Sequence, residues 1–128
     1  MSLLLDTHVF LWWVSGNPRL PASVIAAIEA EADVVVSAVT CYEITLKHAL
    51  GRLPGADILV RNVAGVVALS GFRALAIGLD HAEAAGRLPL VHRDPFDRIL
   101  AAQALVEAMA LVSADTALDA LGVTRVWG

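Results

Sequence analysis

Cys41 is the only cysteine in the chain, which excludes a disulfide framework and every cysteine-rich zinc pattern. Its ordinary role is that of a small buried residue. Positive charge is scarce too: nine Lys and Arg stand against thirteen Asp and Glu, a net charge of −4. A nucleic-acid binder usually carries a basic footprint, so this balance weighs against one unless several acids are there to bind cations. Uninterrupted apolar runs are missing, although 58% of residues are apolar and mean hydropathy is +0.70. A spanning helix needs about 20 mostly apolar residues, and Arg19, Glu29, Asp33, Glu43, Arg61, Arg73, Asp80, Asp97 and Glu107 cut every run short. The start, Met1 to Asp6, has no basic stretch and meets an acid at once. It therefore does not read as a signal peptide, and a cytoplasmic location without membrane contact is expected. Linkers, repeats and low-complexity segments are also lacking, so residues 1–128 read as one domain. The apolar surplus then belongs to a core buried on more than one side, with or without a surface that a partner covers.

What is present is an alternation of short apolar runs with helical patterns. Leu3-Leu4-Leu5 reads as a buried strand ending at Asp6, followed by a helix over Thr7 to Val14 that Ser15-Gly16-Asn17-Pro18 closes. Pro21 opens a second helix with Val24, Ile25 and Ile28 on one face. Val34–Val36 is a β-branched strand. Helices are expected over Thr40–Leu50 and Asp57–Leu69, stopped by Gly51 and Gly71. A weaker strand over Ala74–Ile77 and a short helix over Asp80–Gly86 come next. Asp94-Pro95 starts the clearest helix, to about Ala108. A strand over Leu111–Ser113, a short helix over Thr116–Leu121 and a strand over Val123–Trp127 finish the chain. The pattern predicts an α/β fold of three layers, α/β/α, with a central, mostly parallel sheet.

In such sheets ligands sit outside the carboxyl ends of the strands. Asp6 and Asp115 follow the first strand and the Leu111–Ser113 strand, while Glu43 and Asp97 fall in the first turns of helices near that edge. Each has an ordinary explanation as well. Thr40 to Glu43 fits a capping box. Asp94-Pro95-Phe96-Asp97 fits a cap, a first-turn proline and an acid favoured by the helix dipole. Asp115 and Asp6 can each cap the helix that follows. Asp6 differs, because a carboxylate ending a buried strand is costly to desolvate unless paired or metal-bound. Converging carboxylates without a basic cluster raise one another's pKa. A divalent cation removes that repulsion, and hard oxygen ligands select Mg²⁺ or Mn²⁺.

Several other residues carry two readings. Lys47, four residues after Glu43, is either its helical ion-pair partner or a phosphate contact. Arg98 and Arg93 flank Asp97 as RNA-phosphate ligands or as plain surface charge. Thr7 and Ser113 offer hydroxyls to the site or simply end local structure. His8, His48, His81 and His92 show no zinc spacing and read as structural. Trp12 and Trp13 offer rings for base stacking, but as helix neighbours they diverge, so one faces the core. A phosphatase of the haloacid-dehalogenase type needs a second Asp where His8 stands, and a receiver domain needs a late Lys where the last is Lys47. A metal-free, histidine-based ribonuclease and a non-catalytic binding module stay open.

The segments LLLDTHVFLWW (3–13), VVVSAVTCYEITLKHALGRL (34–53), HRDPFDRILAAQA (92–104) and LVSADTAL (111–118) together resemble the PIN-domain family, in particular the VapC-type toxins of bacterial toxin–antitoxin pairs. The resemblance covers essentially the whole chain, and it departs at Cys41-Tyr42, where many relatives carry a tryptophan before the acid. It implies that Asp6, Glu43, Asp97 and Asp115 are the metal-binding and catalytic acids, with Asp94 left as a cap. It further implies an Mg²⁺- or Mn²⁺-dependent endoribonuclease, a homodimer, and an antitoxin whose tail covers the active-site groove. A PIN-like nuclease of RNA processing outside a toxin–antitoxin pair is the alternative within the family.

Overall fold

The structure is a computed structural model that describes residues 1–128. Five short strands form its centre: β1 (Leu3–Leu5), β2 (Val34–Ser37), β3 (Arg73–Leu75), β4 (Ala110–Val112) and β5 (Arg125–Val126). All neighbours pair in parallel, in the order β3-β2-β1-β4-β5. Six α-helices connect them: α1 (Thr7–Ser15), α2 (Ala22–Ala30), α3 (Ala38–Ala49), α4 (Val63–Leu69), α5 (Leu79–Arg87) and α6 (Pro95–Val106). Two 3-10 helices cover Leu59–Arg61 and Thr116–Leu121.

The period of two along each strand divides the core. Leu3 and Leu5, Val34 and Val36, and Ala110 and Val112 face one layer, where Val9 and Phe10 of α1, Val24 and Ile28 of α2, and Val63 and Val67 of α4 meet them. Leu4, Val35 and Leu111 face the other, against Leu100, Ala101 and Ala104 of α6 and Leu118 and Leu121 of the second 3-10 helix. The strands are therefore apolar on both faces, which is why the sequence shows runs rather than alternation. No helix is long and apolar enough to cross a membrane.

The sheet order places a topological switch beside β1. From β1 the chain moves to β2 on one side, whereas from β4 it moves to β5 on the other. β1 and β4 are paired neighbours, Leu5 opposite Val112, so their outgoing connections part and leave a crevice beyond their carboxyl ends. The Asp6 N–H still donates to the Val112 carbonyl at 3.0 Å, so Asp6 stands on the floor of that crevice.

Two local expectations need correction. Helix α3 begins at Ala38, and its cap is Ser37, whose hydroxyl accepts from the Val39 N–H at 3.0 Å. Thr40 is inside the helix and wholly buried, so Thr40 and Glu43 form no capping box. The continuous helix expected over Asp57–Leu69 is broken at Asn62, whose side chain caps α4 by accepting from the Gly65 N–H at 2.9 Å. Asn competes with the helical backbone for its own hydrogen bonds, and here that local option prevails. The sheet agrees with the expected three-layer α/β/α architecture, with every pairing parallel.

At the amino end of the sheet, Asp33 ties three strands together. Its carboxylate accepts from the Ser2 hydroxyl at 2.5 Å and from Arg73 Nε and Nη2 at 2.9 and 3.1 Å, while its carbonyl accepts from Leu3 at 3.0 Å. The Arg73 and Ser2 hydrogen bonds hold the Asp33 carboxyl down at about 2. A depressed carboxylate stabilises the fold above the unfolded value of about 4, and that contribution is lost as pH falls towards about 2. Asp33→Asn should therefore cost about 1 kcal/mol or less at neutral pH, because the pair is partly solvated. Urea titrations should show the difference between wild type and variant shrinking below about pH 4 and gone by about pH 2; a difference that persists unchanged there contradicts the assignment.

Candidate metal centre at the sheet edge

Asp6 is 8% exposed and serves as the N-cap of α1, accepting from the Val9 N–H at 2.8 Å. Burial pushes its carboxyl above the usual carboxylate range, and the nearby Asp97 charge pushes the same way. The Ser113 hydroxyl, the Val9 amide and His8 oppose the shift without cancelling it. No Lys or Arg pairs with it. A capping role alone explains a hydrogen bond to the helix but not a carboxylate placed where water is scarce.

Asp97 lies in the first turn of α6, which Asp94 caps by accepting from the Phe96 and Asp97 N–H groups at 2.9 and 3.1 Å. Asp94 thus has the capping role, and the Asp97 carboxylate is free to face the crevice. Burial raises its pKa, helped by the charges of Asp94 and Glu43, while a 2.9 Å hydrogen bond from His92 Nε2 opposes the shift. Asp115 follows β4 and caps the second 3-10 helix through the Ala117 N–H at 3.0 Å; its own N–H donates to Ser113 Oγ at 3.1 Å. One ligand atom each from His92, Asp97 and Asp115 lies within 4.8 Å of the others. Asp115 also shares with Asp6 a cavity of about 330 Å³, walled by His8, Trp12, Arg19 and Ala114.

Glu43 is more occupied than the other three. It is 4% exposed, accepts from the Thr7 hydroxyl at 2.6 Å and is paired with Lys47 one helical turn on. Lys47 also lies 5.9 Å from the centre of the Phe96 ring. Of its two sequence readings, the ion pair is what the structure contains. Glu43 remains close enough to Asp97 for its charge to bear on that carboxyl.

Arg98 does not face the acidic crevice as a phosphate ligand. Its guanidinium donates to the carbonyls of Ala85, Leu88, Pro89 and His92 at 2.7–2.9 Å, and this correction follows from where its hydrogen bonds go. His92 and Arg19, neither of them picked out as site residues, are the ones that stand at the acids. Position 92 gave a faint signal, being five residues before Asp97 and just ahead of a helix cap. Arg19 gave none, since only the fold carries residues 17–19 back over the first turn of α1. Trp12 packs on Trp127 with ring centres 6.0 Å apart and also walls the cavity, while Trp13 packs on Phe72 at 5.6 Å, so the pair diverges as expected.

The donor set fits a divalent cation. Two desolvated carboxylates with raised pKa values converge without a Lys or Arg partner, and hard oxygen donors dominate. In the metal-free protein, ionising Asp6 costs stability as pH rises above its unfolded value, since a raised folded pKa favours the protonated form. Asp6→Asn keeps the capping acceptor and removes that cost. Differential scanning calorimetry in EDTA at neutral pH should show the variant's Tm equal to or up to a few degrees above wild type. Added Mn²⁺ should raise the wild-type Tm and leave the variant's nearly unmoved; equal shifts in both exclude Asp6 from the cation site.

Comparison with known proteins agrees with this geometry. No curated protein sequence matches the chain significantly. The fold matches a chain of VapBC2 from Rickettsia felis bound to a promoter DNA fragment, at TM-score 0.76 and 14% identity, over 100% of both chains. It matches a toxin–antitoxin complex from Klebsiella pneumoniae at TM-score 0.70 and 24% identity, over 98% of this chain and 96% of that one. A third likeness is to FitAB bound to an IR36 DNA fragment, at TM-score 0.69 and 25% identity, over 97% and 93%. The sequence matches the PIN domain over residues 3–123. With an acidic cluster at the switch point and a family match over nearly its whole length, the chain belongs to the PIN-domain family of nucleases.

Proposed function

We propose that this protein is a metal-dependent endoribonuclease and the toxin of a toxin–antitoxin pair. The observation that carries the reading is the convergence of Asp6, Asp97 and Asp115 at the β1–β4 crevice, with two of the three desolvated and none balanced by Lys or Arg. Asp6, Asp97 and Asp115 would hold Mg²⁺ or Mn²⁺, with Glu43 helping to hold it or orienting the attacking water. Bound there, the cation supplies Lewis-acid activation of water and neutralises charge building on the phosphodiester.

The chain's own residues provide the rest. Thr7 fixes one oxygen of Glu43 at 2.6 Å and Lys47 pairs with the other, so the Glu43 carboxylate is held in one orientation inside a buried setting. Arg19 walls the same cavity as Asp6 and Asp115, where it meets an RNA phosphate without weakening the acids. A single exposed cation beside a locally acidic site accounts for phosphate binding in a chain of net charge −4. Hydrolysis by this route leaves 5′-phosphate and 3′-hydroxyl ends.

The toxin assignment rests on the likeness to the toxin–antitoxin complexes and on an apolar groove beside the site. That groove, of about 520 Å³, runs between α1 and residues 53–59, lined by Leu11, Trp12, Leu53, Ile58 and Leu59 among others. It suits the apolar tail of an antitoxin. Ile58, Leu69, Leu79, Leu90 and Val91 are exposed large apolar residues, and such surface supports a homodimer or a partner contact.

Total RNA incubated with Mn²⁺ should be cut by wild type and left whole in EDTA. Asp6→Asn and Asp97→Asn should each lower the rate by at least about 100-fold, and Arg19→Ala should raise KM with a smaller effect on kcat. Cleavage that survives EDTA and both substitutions, or that leaves cyclic phosphate ends, contradicts the mechanism in favour of a histidine-based one.

A further inference from the structure

The segment between α5 and α6 has no ladder of its own, yet it is held by one side chain. Arg98 donates to the carbonyls of Pro89 at 2.7 Å, His92 and Ala85 at 2.8 Å, Leu88 at 2.9 Å and Gly86 at 3.5 Å. A guanidinium has five N–H donors in a planar fork, which a lysine cannot imitate. Both Nη groups of Arg98 are spent on these carbonyls, and its position in α6 is fixed by the Asp94 cap and Pro95.

His92 is the last residue in that grip. Its carbonyl is held by Arg98, and its Nε2 lies 2.9 Å from Asp97 Oδ2. Asp97 and Arg98 are successive residues of α6, so a closed circuit forms: Arg98 fixes the His92 backbone, the His92 ring fixes the Asp97 carboxylate, and the helix joins the two ends. The His92 side chain is 14% exposed and that of Asp97 27% exposed, so the hydrogen bond is largely sheltered from water.

We propose that His92 is a positioning residue for the metal site, its Nε2–H holding the Asp97 carboxylate in the orientation that shares a cation with Asp115, and that Arg98 holds His92 in place. The proposal rests on the cation-site reading above. A carboxylate's terminal torsion is broad and two-fold, so an unrestrained Asp97 samples orientations that miss the cation. A donor bonded to one oxygen removes that freedom before binding, and losing such an outer partner commonly costs about 10- to 100-fold in metal affinity. Direct coordination by the imidazole is the rival. Through Nε2 it needs the lone pair that the proton donated to Asp97 occupies, which leaves only Nδ1. It would also bring a nitrogen donor that favours Mn²⁺ over Mg²⁺, whereas positioning through an oxygen ligand treats the two ions alike.

Calorimetric titration of the RNA-free protein with Mg²⁺ and with Mn²⁺ separates these readings. His92→Phe should weaken both ions by a common factor of about 10 or more, and His92→Gln, which keeps an N–H donor, should recover most of it. Arg98→Lys should weaken both by a common, smaller factor, and it carries the test should His92→Phe fail to fold. Unchanged dissociation constants in the folded His92→Phe protein overturn the proposal, as does a loss confined to Mn²⁺. If wild type binds neither ion, the cation site itself is overturned along with it, whereas the other two outcomes leave that site standing.

Discussion

Mutual repulsion among carboxylates that have been taken out of water is the constraint on which this molecule is arranged. Asp6 and Asp97 are both pushed towards protonation, first by burial and then by nearby acids (Asp97 acting on Asp6, Asp94 and Glu43 on Asp97), and no Lys or Arg is placed to relieve them. Isolated, such groups are a liability to folding. Their position at the crevice between β1 and β4 follows from the strand order, because only there do two adjacent strands send their connections apart. The fold supplies a rigid floor, apolar on both faces, from which these acids cannot retreat into solvent.

Around that floor the acids are treated unequally. Glu43 is neutralised within its own helix by Lys47 and oriented by Thr7, so it contributes shape without adding much unbalanced charge. Asp115 is exposed at a 3-10 helix start, where its charge is easily solvated. Asp6 and Asp97 bear the strain, and the gain from a cation is concentrated on them. On the proposed nuclease reading, the same concentration would let an acidic protein act on a polyanion: the negative charge that matters at the site is the part a divalent ion would cancel.

Much of this was legible in the sequence because it is local. Runs such as Leu3–Leu5 and Val34–Val36 announce buried parallel strands, Asp94-Pro95 announces a helix start, and the acids that follow β1 and β4 locate the sheet edge without any knowledge of strand order. Other features were hidden because they depend on distant partners. The Thr40–Glu43 spacing imitates a capping box, yet Ser37 at the very end of β2 caps the helix three residues before Thr40 and carries Glu43 inward. Arg98 looks like a phosphate ligand beside Asp97, but carbonyls at the end of α5 and in the loop after it claim its donors. His92 and Arg19 become site residues only once the chain has folded back on itself. The Asn62 cap that splits the expected helix shows the opposite error, a local signal outweighed in the reading by a long apolar pattern.

The central claim is that these acids form one cation site at the end of β1 and β4. Anomalous diffraction from crystals grown with Mn²⁺, collected at the manganese edge, tests it without any substrate or substitution. The account predicts a peak within coordination distance of carboxylate oxygens from Asp6, Asp97 and Asp115. Strong Mn²⁺ density elsewhere, with none among these three residues at saturating concentration, would contradict it.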